Sequence, residues 1–333
     1  MFEISEKGGF IIYIVEGSFI MLLNIAVIFV IFCPGILRER KTLVLLGGLC
    51  ISDTVNAAAY FIAGIYRLSI LENNEGELTK SRFNCFMLPH STAFFFGYQL
   101  TALMTMVVSF DRLIAVFYPV KHVWFTLGKY NTYLILLGKS SSLHLLIHPL
   151  SLGSLLFVVV SYGIAVLIEY GEHGVQINIY CYYIYTLQRQ VWDYVLLFRI
   201  VTISLSVIVY VPICAKVYFI VKNHNQPKKL IKITTTIGLS SISALLCLVI
   251  PDVMMYVDYE GFLQYHTFFY FIGLNKSLLN IFIYMLRHKE IRKGLMLAVG
   301  KPFGVKPSGG SWAYVDHVSV IHPPHHSFAK ATT

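Results

Sequence analysis

The sequence has few charged residues, which make up only 13% of its 333 positions. A soluble domain carries about 25% charged residues, so a chain this apolar has too little polar surface to remain in water. Hydrophobic residues account for 56% of the chain, and the mean hydropathy is +0.68. These values exclude an ordinary soluble domain and indicate that lipid surrounds most of the polypeptide.

The sequence also lacks the motifs of an enzyme. It pairs no nucleophile with a base and contains no phosphate-binding loop or metal-binding helix, so we expect neither catalysis nor a cofactor. Four histidines of the tail have no Cys or acidic cluster beside them, and we interpret them as solvated residues rather than as a metal site. They are His317, His322, His325 and His326. The absence of an internal repeat disfavours an inverted-repeat transporter.

Seven long apolar segments dominate the chain. A helix needs about 20 apolar residues to cross a bilayer, and each of the seven is long enough. They are 10–32, 43–67, 85–111, 143–168, 194–221, 233–257 and 266–286. In hydrocarbon the backbone must satisfy its own hydrogen bonds, and barrel strands need only about 10 alternating residues. The sequence therefore predicts an all-α membrane protein that folds as a seven-transmembrane helix bundle.

The distribution of basic residues predicts the orientation of this bundle. Most of the 26 Lys and Arg lie in segments that are cytoplasmic if the N-terminus is outside. Those segments are 33–42, 112–142, 222–232 and the C-terminal tail. We therefore expect the N-terminus outside and the C-terminus in the cytoplasm. The net charge of +9 is scattered over these separate loops, so we do not expect nucleic-acid binding.

The spans divide the chain into four predicted regions. Residues 1–9 are a short extracellular N-terminus with no basic segment or cleavage site, which predicts that no signal peptide is removed. Residues 10–286 are the seven-transmembrane domain. Residues 287–299 alternate apolar and basic positions, as in an amphipathic eighth helix on the membrane surface. Residues 300–333, with Gly, Pro, Ser and His, are predicted to be a disordered cytoplasmic tail.

The segment 133–142 fits this division poorly. Its first half is apolar, and Gly138–Ser142 then interrupts the chain before the fourth span begins. A continuous helix from 131 to 168 would be too long for one crossing. Either the inner loop carries an extra apolar piece or the sequence contains an inserted segment.

Cysteine positions predict one disulfide. Of the six cysteines, only Cys85 and Cys181 fall on the predicted outer side. Disulfides form in oxidising compartments, so we expect these two to pair. Two unpaired thiols are the alternative.

Polar residues at particular depths carry a resemblance to a known family. The third span ends in an acid–base pair, the second carries one acid, and the seventh ends in a polar and aromatic motif. These positions are Asp53, Asp111, Arg112, Ala115, Pro119 and the stretch Asn280–Tyr284. Over roughly residues 10–298 the chain resembles the rhodopsin-like (class A) G-protein-coupled receptors. The runs Phe110–His122 and Asn280–Arg292 resemble the nematode serpentine chemoreceptors of the Srsx type.

The resemblance implies a receptor, with a chemosensory role, that senses an extracellular ligand and activates a heterotrimeric G protein. It implies that Asp111 holds Arg112 at rest, that Arg112 then meets the G protein, and that Tyr284 turns inward on activation. A further set of residues would form a hydrated polar network between helices that could hold Na⁺. That set is Asn24, Asp53, Asn275 and Asn280. A simple interfacial anchor is the alternative for the acid–base pair, and interhelical contacts are the alternative for the asparagines.

The ligand pocket is predicted in the outer half of spans three, five, six and seven. Span three offers Phe94, Phe95 and Tyr98, and it carries no acid between Cys85 and Asp111. Since Phe94 stands where amine receptors place an Asp, a biogenic amine is not expected. The aromatic lining favours an apolar or weakly polar small molecule, with a peptide as the other option. Core packing is the alternative role for the phenylalanines.

Several departures from the family pattern keep other functions open. Leu113 replaces the Tyr of the acid–base motif, Ile281 replaces a Pro, no Trp precedes Pro251, and Tyr218 follows Pro212 by fewer residues than usual. A seven-span channel or transporter, or a receptor-like protein that does not signal, remains an alternative.

Charged residues within the spans include Glu16, Arg199, Asp252 and Lys276. Intramembrane charges suggest function by default. We expect Arg199 and Asp252 to reach the outer interface instead. Localisation in the plasma membrane as a multi-pass protein, with a sensory cilium as one option, follows from this interpretation.

Overall fold

The apolar runs of the sequence fold into seven helices that are long and apolar enough to cross a membrane. We number them span 1 to span 7, and span 6 consists of three consecutive helical segments. Spans 1 to 4 are Glu6–Phe32, Lys41–Glu72, Pro89–Phe117 and Pro149–Tyr170. Spans 5 and 7 are Arg189–Asn223 and His266–Arg287. Span 6 contains Lys228–Ala244, a π-helical segment Leu245–Val249, and Ile250–Val257.

The computed structural model describes residues 6–32, 41–118, 149–171, 174–223, 228–257, 261, 266–287, 291–292 and 295. These residues confirm the predicted seven-helix architecture, although several helices begin or end beyond the apolar segments. Span 3 starts at Pro89 because proline is favoured at the first turn of a helix, where its missing N–H is not needed. The preceding residues Arg82–Phe86 form a separate short helix.

Two short strands and two short helices lie between the spans at one end of the bundle. Strand β1 (Thr79–Ser81) pairs antiparallel with strand β2 (Gln176–Asn178), and Lys80 lies opposite Ile177. The second short helix is Tyr183–Thr186. We call this end, which also contains Cys85 and Cys181, the disulfide end. The opposite end, where span 3 finishes, is the Arg112 end.

Spans 1 and 2 pack closely because each carries a glycine at their contact. A Cβ atom at Gly17 would lie 2.9 Å from the backbone nitrogen of Phe61. A Cβ atom at Gly64 would lie 2.9 Å from the carbonyl oxygen of Phe10. Small residues let membrane helices approach until their backbones touch, so larger side chains at either position would separate the two spans.

Spans 5 and 6 contain the backbone irregularities of the bundle. Pro212 lies inside span 5, and Pro251 follows the π-helical segment of span 6 by two residues. Proline removes one hydrogen bond and clashes with the preceding turn, and π-helical segments mark the same kind of interruption. The π-helical segment and Pro251 therefore divide span 6 into an α-helical part before them and another after them.

Apolar side chains face both the interior and the exterior of the bundle. Large exposed residues such as Leu156, Leu167 and Val257 cover the outside. Contiguous exposed apolar surface of this kind fits a lipid environment. Inside, one buried cluster fills the disulfide end around Phe94 and Tyr183, and a second lies towards the Arg112 end.

The predicted division of the chain is only partly covered by the described residues. The first helix begins at Glu6, inside the predicted N-terminal region 1–9. Of the predicted surface helix 287–299, the residues Ile291, Arg292 and Leu295 are helical, and the two apolar ones are buried. The anomalous segment 133–142 and the tail 300–333 lie outside the described residues. The four regions therefore stay predictions.

Candidate functional site

A polypeptide cap covers the disulfide end of the bundle. The predicted disulfide between Cys85 and Cys181 is present, and it ties the chain before span 3 to the chain before span 5. The β1–β2 pair extends this link, since Asn178 also donates a hydrogen bond to the carbonyl oxygen of Gly76 at 3.2 Å. We call residues 174–188 the cap. Apolar residues of the cap pack in one buried cluster with Phe94 of span 3 and Trp192 of span 5.

Arg67 fastens the cap from below, at the end of span 2. Its Nε donates to the carbonyl oxygen of Tyr180 at 3.2 Å, and a terminal nitrogen donates to the carbonyl oxygen of Cys181 at 3.4 Å. The guanidinium also lies over the ring of Tyr182, 4.4 Å from its centre. Hydrogen bonds from a charged donor are stronger than neutral ones. A buried arginine thus supplements the disulfide, a role that its location at a span edge did not predict.

Two tyrosines of the cap, Tyr182 and Tyr183, directly follow Cys181 and pack towards the interior of the bundle. Tyr183 is fully buried among Phe94, Tyr98 and Trp192. Burial raises the pKa of Tyr182 to about 12 and the pKa of Tyr183 well above its ordinary value. Both hydroxyls are therefore neutral at physiological pH, and the cap contributes uncharged aromatic surface beneath the disulfide.

A narrow cavity of about 30 Å³ lies between spans 2, 3, 5, 6 and 7 near the disulfide end. Its walls are mainly aromatic and apolar, with one charged pair. The lining residues that matter here are Asn56, Tyr60, Tyr98, Trp192, Arg199 and Asp252. Small-molecule sites in proteins are concave and mostly apolar, with a few polar groups for orientation. The lining fits this description, but the cavity would have to widen to admit more than a water-sized group.

Arg199 and Asp252 form an ion pair in the wall of this cavity. The guanidinium donates two hydrogen bonds, from Nε and from a terminal nitrogen, to the two carboxylate oxygens of Asp252. Its face lies 4.3 Å from the centre of the Tyr98 ring. The expectation that both residues reach the interface is wrong, because they are only 8% and 3% exposed. Mutual neutralisation inside the bundle replaces solvation, as buried charges require.

Two further polar groups lining the cavity lack partners. The side-chain oxygen of Asn56 and the indole nitrogen of Trp192 are buried, and neither has a hydrogen bond within the described part of the chain. The hydroxyls of Tyr60 and Tyr98, by contrast, bond to each other at 3.3 Å. Buried polar groups are normally paired, so an unpaired acceptor and donor beside one cavity are suited to a bound polar molecule.

The three predicted pocket residues occupy different layers. Tyr98 lines the cavity. Phe94 lies behind it, with its ring 4.8 Å from that of Tyr60 and stacked on that of Tyr270. Phe95 packs against Phe86 and Tyr162, and both phenylalanines are buried. The structure thus brings one predicted residue to the cavity and uses the other two to support its wall.

A polar cluster occupies the middle of the bundle between spans 2, 6 and 7. The ammonium of Lys276 donates to one oxygen of Asp53 at 2.8 Å, and the amide of Asn280 donates to the other at 2.9 Å. Ser240 of span 6 donates to the side-chain oxygen of Asn280 at 2.6 Å. These four side chains, which we call the central cluster, are all buried. Two hydrogen bonds to the Asp53 carboxylate join spans 2 and 7, and the bond between Ser240 and Asn280 adds span 6.

The other two predicted network residues bond elsewhere. Asn24 is buried, but its amide donates to the carbonyl oxygen of Ile20 in its own helix at 3.1 Å. Asn275 likewise donates to the carbonyl oxygen of Phe271 at 3.0 Å and is only half-buried. Of the predicted set, the structure therefore brings together Asp53 and Asn280. It adds Lys276, which the sequence showed only as a charge within a span.

The Arg112 end is held by apolar packing and by a hydrogen bond between the hydroxyls of Ser109 in span 3 and Ser206 in span 5. Asp111 and Arg112 are buried and form an ion pair with each other within span 3. Val108 and Val116 of that span pack in one cluster with Tyr210 of span 5, Ile237 of span 6 and Tyr284 of span 7. The predicted residue Tyr284 is fully buried here.

Tyr210 is a residue of this end that sequence reasoning missed. Tyr218, the span 5 tyrosine considered from spacing, is 64% exposed, whereas Tyr210 is 6% exposed. The hydroxyls of Tyr210 and Tyr284 lack a partner in normal hydrogen-bonding geometry among the residues that the structure covers. The missed signal was the position of Tyr210 two residues before Pro212, on the turn that faces the bundle.

Comparison with protein families decides what this arrangement is. The family model described as serpentine type 7TM GPCR chemoreceptor Srsx matches residues 19–298, which is most of the chain. The chain belongs to the Srsx chemoreceptor family. This confirms the predicted resemblance. A search of curated proteins finds no match.

Membership of the Srsx family supplies the general class of the protein. It is a multi-pass membrane protein of a chemosensory receptor family, and the family is one of receptors rather than enzymes. Such receptors imply a bilayer, a ligand and a G protein as partners. The structure adds three features of this Srsx member: the Arg67 contact with the cap, the Arg199–Asp252 pair and the Lys276–Asp53 pair.

Proposed function

We propose that the protein is a plasma-membrane chemoreceptor that binds an external small molecule in the cavity beneath the cap. Ligand binding leads to activation of a heterotrimeric G protein at the Arg112 end. The observation that carries the proposal is the arrangement of an aromatic cavity with unpaired polar groups and the buried Arg112 at opposite ends of a single Srsx-type bundle. In this orientation the disulfide end faces the outside, where the environment is oxidising.

The cavity favours a ligand without net charge. Arg199 and Asp252 already neutralise each other, with two hydrogen bonds between them. A ligand amine would have to compete with Arg199 for Asp252, and a ligand carboxylate would have to compete with Asp252 for Arg199. Adding an unpaired charge to a low-dielectric site is costly. An uncharged molecule with an aromatic or apolar body fits the lining better.

The unpaired polar groups suggest how such a ligand is oriented. The oxygen of Asn56 can accept one hydrogen bond, and the indole N–H of Trp192 can donate one. A ligand carrying one donor and one acceptor would satisfy both. The cavity is narrow, and Tyr183 of the cap packs on its lining residues Tyr98 and Trp192, which supports a small molecule over a peptide.

Span 6 offers a path from the cavity to the Arg112 end. Asp252 lies next to Pro251, and the π-helical segment Leu245–Val249 directly precedes this position. Helix interruptions of this kind allow the two parts of a helix to change their relative angle. A ligand that shifts Asp252 would therefore alter the direction of the span 6 segment that packs near Tyr210 and Tyr284.

The decisive experiment replaces Arg112 with Ala. Cells expressing the receptor with a promiscuous G protein are first screened against uncharged aromatic compounds. We expect Arg112→Ala to abolish ligand-stimulated nucleotide exchange at equal surface expression, because the guanidinium is the group that meets the G protein. The matched control is Arg189→Ala, which removes an exposed Arg paired with Asp193 at the other end of the bundle. An undiminished response in Arg112→Ala would reject the proposal.

Orientation and localisation have their own test. An epitope inserted after Met1 should be accessible on intact cells, and an epitope within 112–122 should become accessible only after permeabilisation. The reverse pattern would place the cavity on the cytoplasmic side and end the proposed direction of signalling.

The channel or transporter alternative receives less support from the same observations. Such a protein needs charges or open backbone along a pathway at the membrane midplane. Asp53 and Lys276 instead bond to each other inside the bundle. A ligand-evoked current that persists without G protein would restore that alternative.

A further inference from the structure

The central cluster contains a buried carboxylate whose positive partner belongs to the protein itself. Asp53 of span 2 and Lys276 of span 7 are 0% and 1% exposed, and they meet at 2.8 Å. An ionised carboxylate in such surroundings requires a nearby positive charge and hydrogen-bond donors to every oxygen. Lys276 supplies the charge and one donor, and Asn280 supplies the donor to the second oxygen.

The geometry leaves little electrostatic reason for a free cation to bind here. A monovalent ion next to Asp53 would lie within a few ångströms of the Lys276 ammonium, and two positive charges at that separation repel strongly in a low-dielectric interior. The ammonium would have to move away, but it is enclosed by spans 2 and 7. An ammonium fixed to the backbone also loses less entropy on pairing than an ion taken from solution.

We propose that Lys276 is a built-in counter-ion that occupies the cation position beside Asp53, so that the receptor is indifferent to sodium. The sequence suggested that polar residues around Asp53 hold a sodium ion. In this proposal the Lys276 ammonium, which is part of the chain, takes the place of that ion. The Lys276–Asp53 bond also links span 7 to span 2, and Asn280 carries the link to Ser240 of span 6. The inference goes beyond the proposed function, since it concerns the resting structure and requires neither ligand nor G protein.

The proposal predicts how the stability and the Na⁺ affinity of the receptor change when each charge is removed. Lys276→Met leaves the Asp53 carboxylate buried without a cation, so the variant should become less stable and should gain affinity for Na⁺. The double variant Asp53→Asn/Lys276→Met removes both charges and should recover much of the lost stability without any response to Na⁺. Lys216→Met makes the same chemical change at an exposed position and serves as the control.

The experiment is thermal unfolding of the purified receptor in lipid nanodiscs, in NaCl and in choline chloride of equal ionic strength. We expect the same Tm in both salts for the wild type and for Lys216→Met. For Lys276→Met we expect a lower Tm in choline chloride and a rise of about 2–4 °C in saturating NaCl. The double variant should show no difference between the salts.

Several outcomes would overturn the proposal. A saturable rise of the wild-type Tm with Na⁺ over choline would mean that a free ion binds despite Lys276. A Lys276→Met protein that folds but ignores Na⁺ would mean that the ammonium acts by shape or hydrogen bonding alone. If Lys276→Met does not fold, the double variant decides, because it should fold if charge is the reason. Its failure to fold would contradict the proposal. None of these results depends on G-protein coupling, so the proposed function can stand or fail separately.

Discussion

The two ends of the bundle are held together in different ways. At the disulfide end, a covalent bond, a short strand pair, the Arg67 contacts and the Arg199–Asp252 pair all join different segments of the chain. At the Arg112 end, the ion pair between Asp111 and Arg112 joins neighbouring residues of one helix. There the spans meet through apolar packing, buried tyrosines and one hydrogen bond between the hydroxyls of Ser109 and Ser206.

This difference suggests how a signal crosses the molecule. Polar and covalent links have strict distance requirements, whereas apolar packing can be exchanged for other apolar packing. We infer that the disulfide end holds its shape and forms the ligand site, and that the Arg112 end is the part that opens. The central cluster lies between the two and connects spans 2, 6 and 7.

The largest effect on stability is expected from removing half of the Arg199–Asp252 pair. Arg199→Leu should lower the free energy of unfolding by about 3–5 kcal/mol, because it leaves a carboxylate buried without a partner. The double variant Arg199→Met/Asp252→Leu should be close to the wild type. Thermal unfolding in nanodiscs measures both.

The control for that prediction is Arg189→Ala, which removes the exposed Arg189–Asp193 pair. Exposed pairs contribute only about 0–1 kcal/mol. If Arg199→Leu cost no more than Arg189→Ala, the buried pair would not restrain spans 5 and 6, and the contrast between the two ends would weaken.

Loss of the disulfide should come next in size. Chain-entropy arithmetic for a loop of about 100 residues gives roughly 4.7 kcal/mol, but helices already restrain both ends of this one. We therefore expect Cys85→Ser to cost about 2–4 kcal/mol and to reduce surface expression. Cys214→Ser, at an exposed free cysteine, is the matched control for thermal unfolding. Equal stability of the two variants would show that the cap needs no covalent link.

Arg67→Leu should have a smaller effect that is confined to the cap. Removal of the guanidinium breaks two hydrogen bonds to carbonyl oxygens and one contact with an aromatic ring, for a loss of about 1–3 kcal/mol. We expect faster amide hydrogen exchange in residues 176–183 and unchanged exchange at the Arg112 end. Lys80→Ala, which removes a half-buried cation lying 5.8 Å from the Tyr66 ring centre, should leave exchange in the cap nearly unchanged. Faster exchange throughout the bundle would contradict a local role for Arg67.

The smallest effect on stability is expected at Tyr210. Its buried hydroxyl has no partner in normal geometry among the described residues, so Tyr210→Phe should leave the unfolding free energy within about 1 kcal/mol or raise it slightly. If the hydroxyl is needed once the Arg112 end opens, nucleotide exchange should fall while stability does not. Tyr218→Phe, at an exposed tyrosine, should change neither quantity. A clear loss of stability in Tyr210→Phe would show that the Tyr210 hydroxyl is paired in the folded receptor and would contradict this prediction.

The sequence predicted those parts of the structure that depend on composition and on sidedness. Long apolar runs must be helices in lipid, so seven spans followed directly. Cys85 and Cys181 were the cysteines expected on the oxidising side, and they do form the disulfide. Span boundaries were less accurate at places such as Pro89, where local helix chemistry rather than hydropathy decides the start.

What could not be predicted are the contacts between residues that are distant in sequence. Arg199 and Asp252 each looked like an isolated charge near a span end, and only the packing of spans 5 and 6 brings them together. Lys276 gave no sign of its partner Asp53, which lies 223 residues away. Apolar spans show no clear periodicity from which the interior face could be read, so the direction of each polar side chain stayed unknown.

Distance measurements between spin labels test the contrast between the two ends most directly. One pair of labels, at Ile114 and Thr235, reports on spans 3 and 6 at the Arg112 end. The other pair, at Met87 and Val257, reports on the disulfide end. All four positions are exposed, and Cys33, Cys214 and Cys247 would be replaced by Ser to prevent unwanted labelling. In nanodiscs without ligand, we predict a broad distribution of distances for the first pair and a narrow one for the second. Equally narrow distributions at both ends, or a broader one at the disulfide end, would contradict the account.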